Sequence, residues 1–163
     1  MGMTGGCETL EADHRHALQL MKYVEQLLEL LPEGRAGEGF GEQDKKTLEA
    51  LAQFLTQDLP VHIRQEEEVL FPALAEYLGE GGPLAVMEEE HRDIQKLSSE
   101  YAAWVGGHGV LQSARQGSAW KRLIDLLRSH IEKEEVILFP LVSEKLSLAE
   151  RTQLLHALAA IKS

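Results

Sequence analysis

The segment His62-Ile-Arg-Gln-Glu-Glu-Glu-Val-Leu-Phe-Pro72 returns later in the chain as His130-Ile-Glu-Lys-Glu-Glu-Val-Ile-Leu-Phe-Pro140. In each copy a histidine precedes a glutamate by four residues, His62 with Glu66 and His130 with Glu134. On an α-helix that spacing places both groups on one side, one turn apart. Val69 with Leu70, and Ile137 with Leu138, extend the same stripes in apolar residues, so the pairs are expected to face a helical core.

Outward from these segments the chain reads as helix. From Glu8 to Leu31, Leu10, Ala17, Leu18, Met21, Val24, Leu27 and Leu28 recur at three- and four-residue steps, the period of one buried face. Pro32 and the glycines up to Gly41 stop that helix. A second runs from Glu42 to Leu78, with Pro60 and Pro72 predicting kinks, and ends in Gly79-Glu-Gly-Gly82. Pro83 suits the first turn of a third helix, because its missing N–H has no partner there. That helix reaches Trp104 or Val105, before a glycine-rich loop around His108. A fourth runs from about Ser113–Trp120 to Leu146, with Pro140 inside it. Ser147-Leu-Ala-Glu150 is a capping-box pattern that opens a fifth. The expected fold is all-α, an antiparallel up-down four-helix bundle with a short C-terminal fifth helix over 147–162.

The repeat is larger than the opening motif. Glu88-Glu-Glu-His-Arg-Asp-Ile-Gln-Lys-Leu97 echoes Glu11-Ala-Asp-His-Arg-His-Ala-Leu-Gln-Leu20, so 8–78 and 83–146 read as one hairpin duplicated. At 163 residues the chain suits a single domain, 1–163, with a sizeable core. Its formal net charge of −11 opposes nucleic acid and anionic membranes. No apolar run is long enough to span a bilayer, Met1 to Gly6 lacks the pattern of a signal peptide, and the lone Cys7 forms no internal disulfide. Together these predict a cytoplasmic protein without a membrane or nucleic-acid partner.

Helical rise tests where the histidines meet. From His14 to Leu31 is about 26 Å, and from Gln43 to His62 about 28 Å, at the rise of an α-helix. In an antiparallel hairpin the two stand at one height. The second half gives about 22 Å from His91 to Gly106 and about 21 Å from Gln116 to His130 by the same measure. Four imidazoles and two carboxylates are then expected to converge in the centre. Buried without a partner they would be costly. Two divalent cations would remove that cost and leave room for a bridging hydroxide or oxide and an open position. Iron, manganese or zinc suits such mixed ligation. The competing readings are plain: a single inward histidine is usually a hydrogen-bonded core residue, a lone His-x-x-x-Glu is weak evidence, and duplication alone shows ancestry.

These residues resemble the hemerythrin-like family, the HHE cation-binding domains, over nearly the whole chain. The resemblance implies a non-heme di-iron centre in which His14, His62, His91 and His130 are terminal ligands and Glu66 and Glu134 bridge. Oxygen-carrying hemerythrins have a further histidine one turn after the third-helix ligand, where this chain has Gln95. That difference favours reactivity, sensing or iron handling over oxygen transport. The four-His, two-Glu version is associated with nitric oxide response and iron–sulfur repair, although the cysteine-bearing N-terminal domain that accompanies many repair proteins is not seen here.

Two functions follow as expectations: binding or reacting with a diatomic ligand, oxygen or nitric oxide, or a metal-dependent regulatory, iron-handling or repair-like role through an unidentified protein partner. No phosphate-cradling loop or dinucleotide fingerprint points to an enzyme, and no catalytic residue is assigned. Glu11 and Glu88 stand three residues before His14 and His91, as extra ligands, ring acceptors or a solvated helix start. Glu67 and Glu135, rotated about 100° from their neighbours, suit helix–helix hydrogen bonding or solvent. His16, His108 and His156 are read as surface or packing residues, and Cys7 as an inert tail thiol or a lid over the metal end.

Overall fold

The computed structural model describes residues 5–29, 41–79, 81–107 and 114–162. Helix α1 spans Glu8–Leu28, α2 the helical stretch 42–78, α3 Pro83–Gly107, α4 the stretch 114–145 and α5 Leu148–Ala160. Among the described residues there is no strand. The expected end of α1 at Leu31, the Pro32 loop and the His108 loop lie outside the described residues.

The first four helices form a closed ring, α1 and α3 each packing against both α2 and α4. Their directions follow from paired contacts. His14, near the start of α1, meets Glu135, while Glu25 near its end accepts two hydrogen bonds from Arg128, earlier in α4. His91 reaches Glu67, while the Tyr101 hydroxyl donates to the Leu48 carbonyl, so α2 and α3 also run in opposite senses. Between α3 and α4, His130 meets Glu90, and the Tyr101 and Trp120 rings meet edge-on. The antiparallel bundle expected from the hairpin repeat is therefore present.

The prolines act differently from simple kinks. Each of Pro60, Pro72 and Pro140 follows a five-residue π-helical turn: Phe54–Asp58, Glu66–Leu70 and Glu134–Leu138. A proline has no N–H and pushes away the carbonyl four residues back. A widened turn relieves that clash, and Leu59, Phe71 and Phe139 donate instead to the carbonyls five residues back, at Phe54, Glu66 and Glu134. Two of these turns thus begin at the paired glutamates rather than beyond them. Ile137, expected on the core stripe, lies within its turn and is 53% exposed, whereas Val69 at the matching place packs against the second apolar cluster. Such turns are frequent at functional sites.

Apolar packing falls into two clusters with the histidines between them. Met21, Val24, Leu28, Leu48, Leu51, Tyr101, Leu123 and Ile124 belong to the larger. Leu10, Leu70, Leu74, Met87, Leu138 and Val142 form the other with Leu154 and Leu158 of α5. Helix α5 begins with the expected capping box, the Glu150 N–H donating to Ser147 Oγ at 3.1 Å and the Ser147 N–H to Glu150 Oε1 at 2.8 Å. The segment before α1 runs close to α4 and α5 and requires glycine at position 6, where φ is +96° and a Cβ would meet Val142 Cγ1 of α4 at 3.1 Å and Arg151 Cβ of α5 at 3.4 Å. Leu74 is fully buried in the second cluster, whereas Val136 is two-thirds exposed. In urea unfolding followed by circular dichroism, Leu74→Ala should lower stability by about 2–5 kcal/mol, and Val136→Ala by no more than about 0.5 kcal/mol.

Candidate metal centre

His14 of α1, His62 and Glu66 of α2, His91 of α3, and His130 and Glu134 of α4 meet between the two apolar clusters, none more than 4% exposed. Their atoms form two groups. His14, His62, Glu66 and Glu134 offer ligand atoms all within 4.8 Å of one another, as do Glu66, His91, His130 and Glu134. The two glutamates are common to both, so each group could hold one ion and each carboxylate could reach two.

Every ring is clamped from behind. The His14 Nδ1 lies 2.8 Å from Glu135 Oε2, His62 Nδ1 2.9 Å from Asp13 Oδ2, His91 Nδ1 2.7 Å from Glu67 Oε2, and His130 Nδ1 2.9 Å from Glu90 Oε1. With a proton on each Nδ1 donated to its carboxylate, the Nε2 lone pair is left facing inward, the form a metal ligand needs. Inward, His14 Nε2 is 3.0 Å from Glu134 Oε1, His62 Nε2 3.1 Å from Glu66 Oε2, His91 Nε2 2.9 Å from Glu66 Oε1, and His130 Nε2 3.5 Å from Glu134 Oε2. Phe139 stacks on His14 and Phe71 on His91, each with ring planes 7° apart. The phenylalanine of each Leu-Phe-Pro segment therefore covers an imidazole donated by the other half.

The donor set fits a metal. His14 Nε2, His130 Nε2, Glu66 Oε2 and both Glu134 oxygens are buried without a hydrogen-bond partner of acceptable geometry, although several lie within ion-pair distance. Orphaned polar atoms of this kind are expensive in a core, and lone pairs converging from imidazole and carboxylate suit iron, manganese or zinc. Without a cation the charges distribute unevenly. Burial raises both carboxyls, but the His62 charge and hydrogen bonds to Glu66 hold that group well below the usual carboxylate range. At Glu134, burial and the neighbouring Glu66 charge hold the carboxyl above it. His62 and His130 are raised against the opposing effect of burial, His62 chiefly by Glu66 and Asp13, His130 chiefly by Glu134.

The free space among these groups is small, about 10 Å³, the room of roughly one water-sized molecule. Ala17, Phe54, Leu59, Ile63, Ile94, Leu127 and Ile131 complete its wall. Gln95 does not enter it. That side chain is exposed, and the inward position one turn past His91 belongs to Ile94.

All six expected residues are brought together, and of the alternatives open for Glu11 and Glu88 the ring-acceptor one does not hold. Glu11 and Glu88 do not clamp the rings, because every Nδ1 is taken by Asp13, Glu67, Glu90 or Glu135. Glu67 and Glu135 make the helix-to-helix contacts their rotation suggested. Asp13 and Glu90 were missed, and their signal is an acid immediately before the histidine in both copies of the repeat. Cys7 is neither a tail thiol nor a lid: it is buried in the second cluster, and burial, with Glu11, Glu8, Glu66 and Glu134 nearby, pushes its thiol far up. His16 and His156 are exposed, as expected.

Two outcomes are expected. Glu90 accepts from both His130 Nδ1 and the Lys133 ammonium, so Glu90→Gln should weaken metal retention by about 10- to 100-fold in a competitive chelator titration, with helix content retained. For the metal-stripped chain, the raised His62, His130 and Glu134 values mean that folding takes up protons. Their contribution is present below the unfolded pKa values and is lost as pH rises through the folded ones. Glu66 acts in the opposite sense, but only below the carboxylate range. Stability of the stripped chain in denaturant titrations should therefore fall as pH rises above the ordinary imidazole value of about 6.5, while metal affinity rises.

The chain is 30% identical over 131 residues to the iron–sulfur cluster repair protein YtfE of Citrobacter koseri, covering 73% of this chain and 59% of that one. It is 31% identical over the same length to YtfE of an Enterobacter species, with the same shares, and 29% identical over 140 residues to YtfE of Escherichia coli O157:H7, covering 78% and 63%. The chain thus spans about three-fifths of the length of the curated relatives it matches. No solved structure matches it. Residues 6–142 match the hemerythrin HHE cation binding domain, and the chain belongs to that family.

Proposed function

We propose that this chain is a non-heme di-iron protein that binds or reacts with a small diatomic ligand, oxygen or nitric oxide. The observation that supports this reading is the pair of four-member ligand groups sharing Glu66 and Glu134. His14 and His62 would hold one iron, His91 and His130 the other, and the shared carboxylates would contact both. Bound there, iron supplies redox chemistry and a coordination position for the diatomic ligand. The protein's own contribution is to aim and to exclude. Four carboxylates hold the Nδ1 protons outward, Phe71 and Phe139 fix the planes of His91 and His14, and the apolar wall keeps water scarce. The cavity, about 10 Å³ before any iron is bound, gives an organic substrate no room, so the ligand that suits it is of diatomic size. With Ile94 rather than an imidazole beside His91, the reading favours reaction or sensing over reversible carriage.

Elemental analysis of the purified chain should find about two irons per molecule, and anaerobic visible spectroscopy of the reduced protein should change on adding oxygen or nitric oxide. His62→Ala should lose at least about one iron and most of the response. Stoichiometric zinc or manganese, or silence toward both gases, would sink the reading.

The relatives support a second reading: they are named for iron–sulfur cluster repair, which favours an iron-handling module that acts on a protein partner. The iron-loaded chain would then restore activity to an enzyme whose cluster nitric oxide has damaged. Recovery that is the same with His62→Ala, or absent with the loaded wild-type chain, counts against it.

A further inference from the structure

The repeat gives the bundle two equivalent lateral grooves, and this chain fills one. Along the first lie Gly6, Thr9 and Leu10 beside Gln65, Val69 and Leu70; aligning the repeats turns these into Pro83, Val86 and Met87 beside Lys133, Ile137 and Leu138. That second set lines an open groove between α3 and α4. Helix α5 occupies the first. Gln65 Nε2 donates to the Leu158 carbonyl at 2.9 Å, a Cβ at Gly6 would touch Arg151 Cβ and Leu154 Cδ2 at 3.4 Å, and Leu154 and Leu158 join Leu10 and Leu70 in one cluster against which Val69 packs. In the second groove Met87 and Leu138 are buried at the floor, whereas Val86 is 49% and Ile137 53% exposed, beside Val136 at 67%.

Exposure is the reverse of what solvation alone would produce. Thr9 in the covered groove corresponds to Val86 in the open one, and exposed Glu68 beside the covered groove corresponds to Val136. At these two positions the face left in water is the more apolar, while Gln65 corresponds to Lys133 and Ala12 to Glu89 at its edges; exposed aliphatic side chains framed by charge mark a surface that meets a partner. Its charged surroundings describe that partner. Lys133 is already paired with Glu90. Glu89 and Glu144, at helical spacing from Val86 and Ile137, are exposed, and the chain as a whole carries −11. A second copy would bring like charges together.

We propose that the groove between α3 and α4 docks an amphipathic helix of another protein, seated as α5 is in the twin groove. Two aliphatic side chains one turn apart would lie against Val86, Ile137 and Leu138, with Lys or Arg on the flanks toward Glu89 and Glu144. The α5 sequence is the example of such a helix within this chain: Leu154 and Leu158 are one turn apart, and Ser147–Lys162 carries two cationic side chains, Arg151 and Lys162, against one anionic, Glu150.

A fluorescent peptide of the Ser147–Lys162 sequence, titrated by anisotropy into the full iron-loaded chain, tests the proposal, with sedimentation velocity of the chain alone alongside it. Saturable binding to a monomer is expected. It should weaken by about tenfold or more when Val86→Asp and Ile137→Asp are introduced together, and likewise when the peptide's two leucines become aspartates. Both altered positions are surface-exposed, so helix content and bound iron should be unchanged and report that the variant is folded. Binding that the groove substitutions leave intact means the peptide has displaced α5 from the first groove, and overturns the proposal. Absence of binding up to about 1 mM peptide overturns it too, as does a dimer that the substitutions dissociate, since a second copy would then be the occupant.

Discussion

Two carboxylates, Glu66 and Glu134, lie side by side with no access to water, and the rest of the bundle is arranged around that unfavourable placement. Like charges in an apolar interior cannot both persist without a compensating cation or proton. In the metal-free chain the conflict appears as a split, with Glu66 ionised against His62 and Glu134 held toward its protonated form. A pair of divalent ions would resolve it and would satisfy the imidazole lone pairs that find no donor. Metal binding and folding are then linked, because the same atoms that cost stability when bare supply affinity when loaded.

The surrounding layers convert this placement into geometry. Each imidazole is pinned by an acid on a neighbouring helix, and each acid is only partly buried, so its own charge is solvated while it fixes a buried ring. The cross-pattern matters: Asp13 and Glu90 hold rings within their own hairpin, whereas Glu67 and Glu135 hold rings of the other. The hairpins are consequently tied together through the site, and neither half offers a complete ligand group alone. The π-turns belong to the same device. They begin at Glu66 and Glu134, and each ends where Phe71 or Phe139 can cover a ring.

Approximate two-fold symmetry ends at the outer surface. Helix α5 packs beside the turn containing Glu66 and takes a hydrogen bond from Gln65, while the turn containing Glu134 carries exposed Val136 and Ile137. The metal end of the molecule is thus shielded on one side and open on the other. The two halves, alike in the inner residues they contribute, thus carry unequal outer faces.

Much of this was legible in the residues alone. Helical period, proline and glycine punctuation, and the repeated His-x-x-x-Glu pairs determined the four helices, the fifth, their antiparallel order and the six residues that converge, because those depend on local spacing and rise. What only the tertiary structure decided depends on rotation between helices. Asp13 and Glu90, rather than Glu11 and Glu88, clamp the rings because an acid beside the histidine points across to the adjacent helix. Ile137 is exposed because no helix covers it, whereas Val69 at the matching place in the other π-turn packs against the cluster that α5 completes. Cys7 became a core residue because α5 folds back over the start of α1. Spacing along one helix constrains which groups share a side, but the identity of the neighbour that receives them is set only when the helices pack.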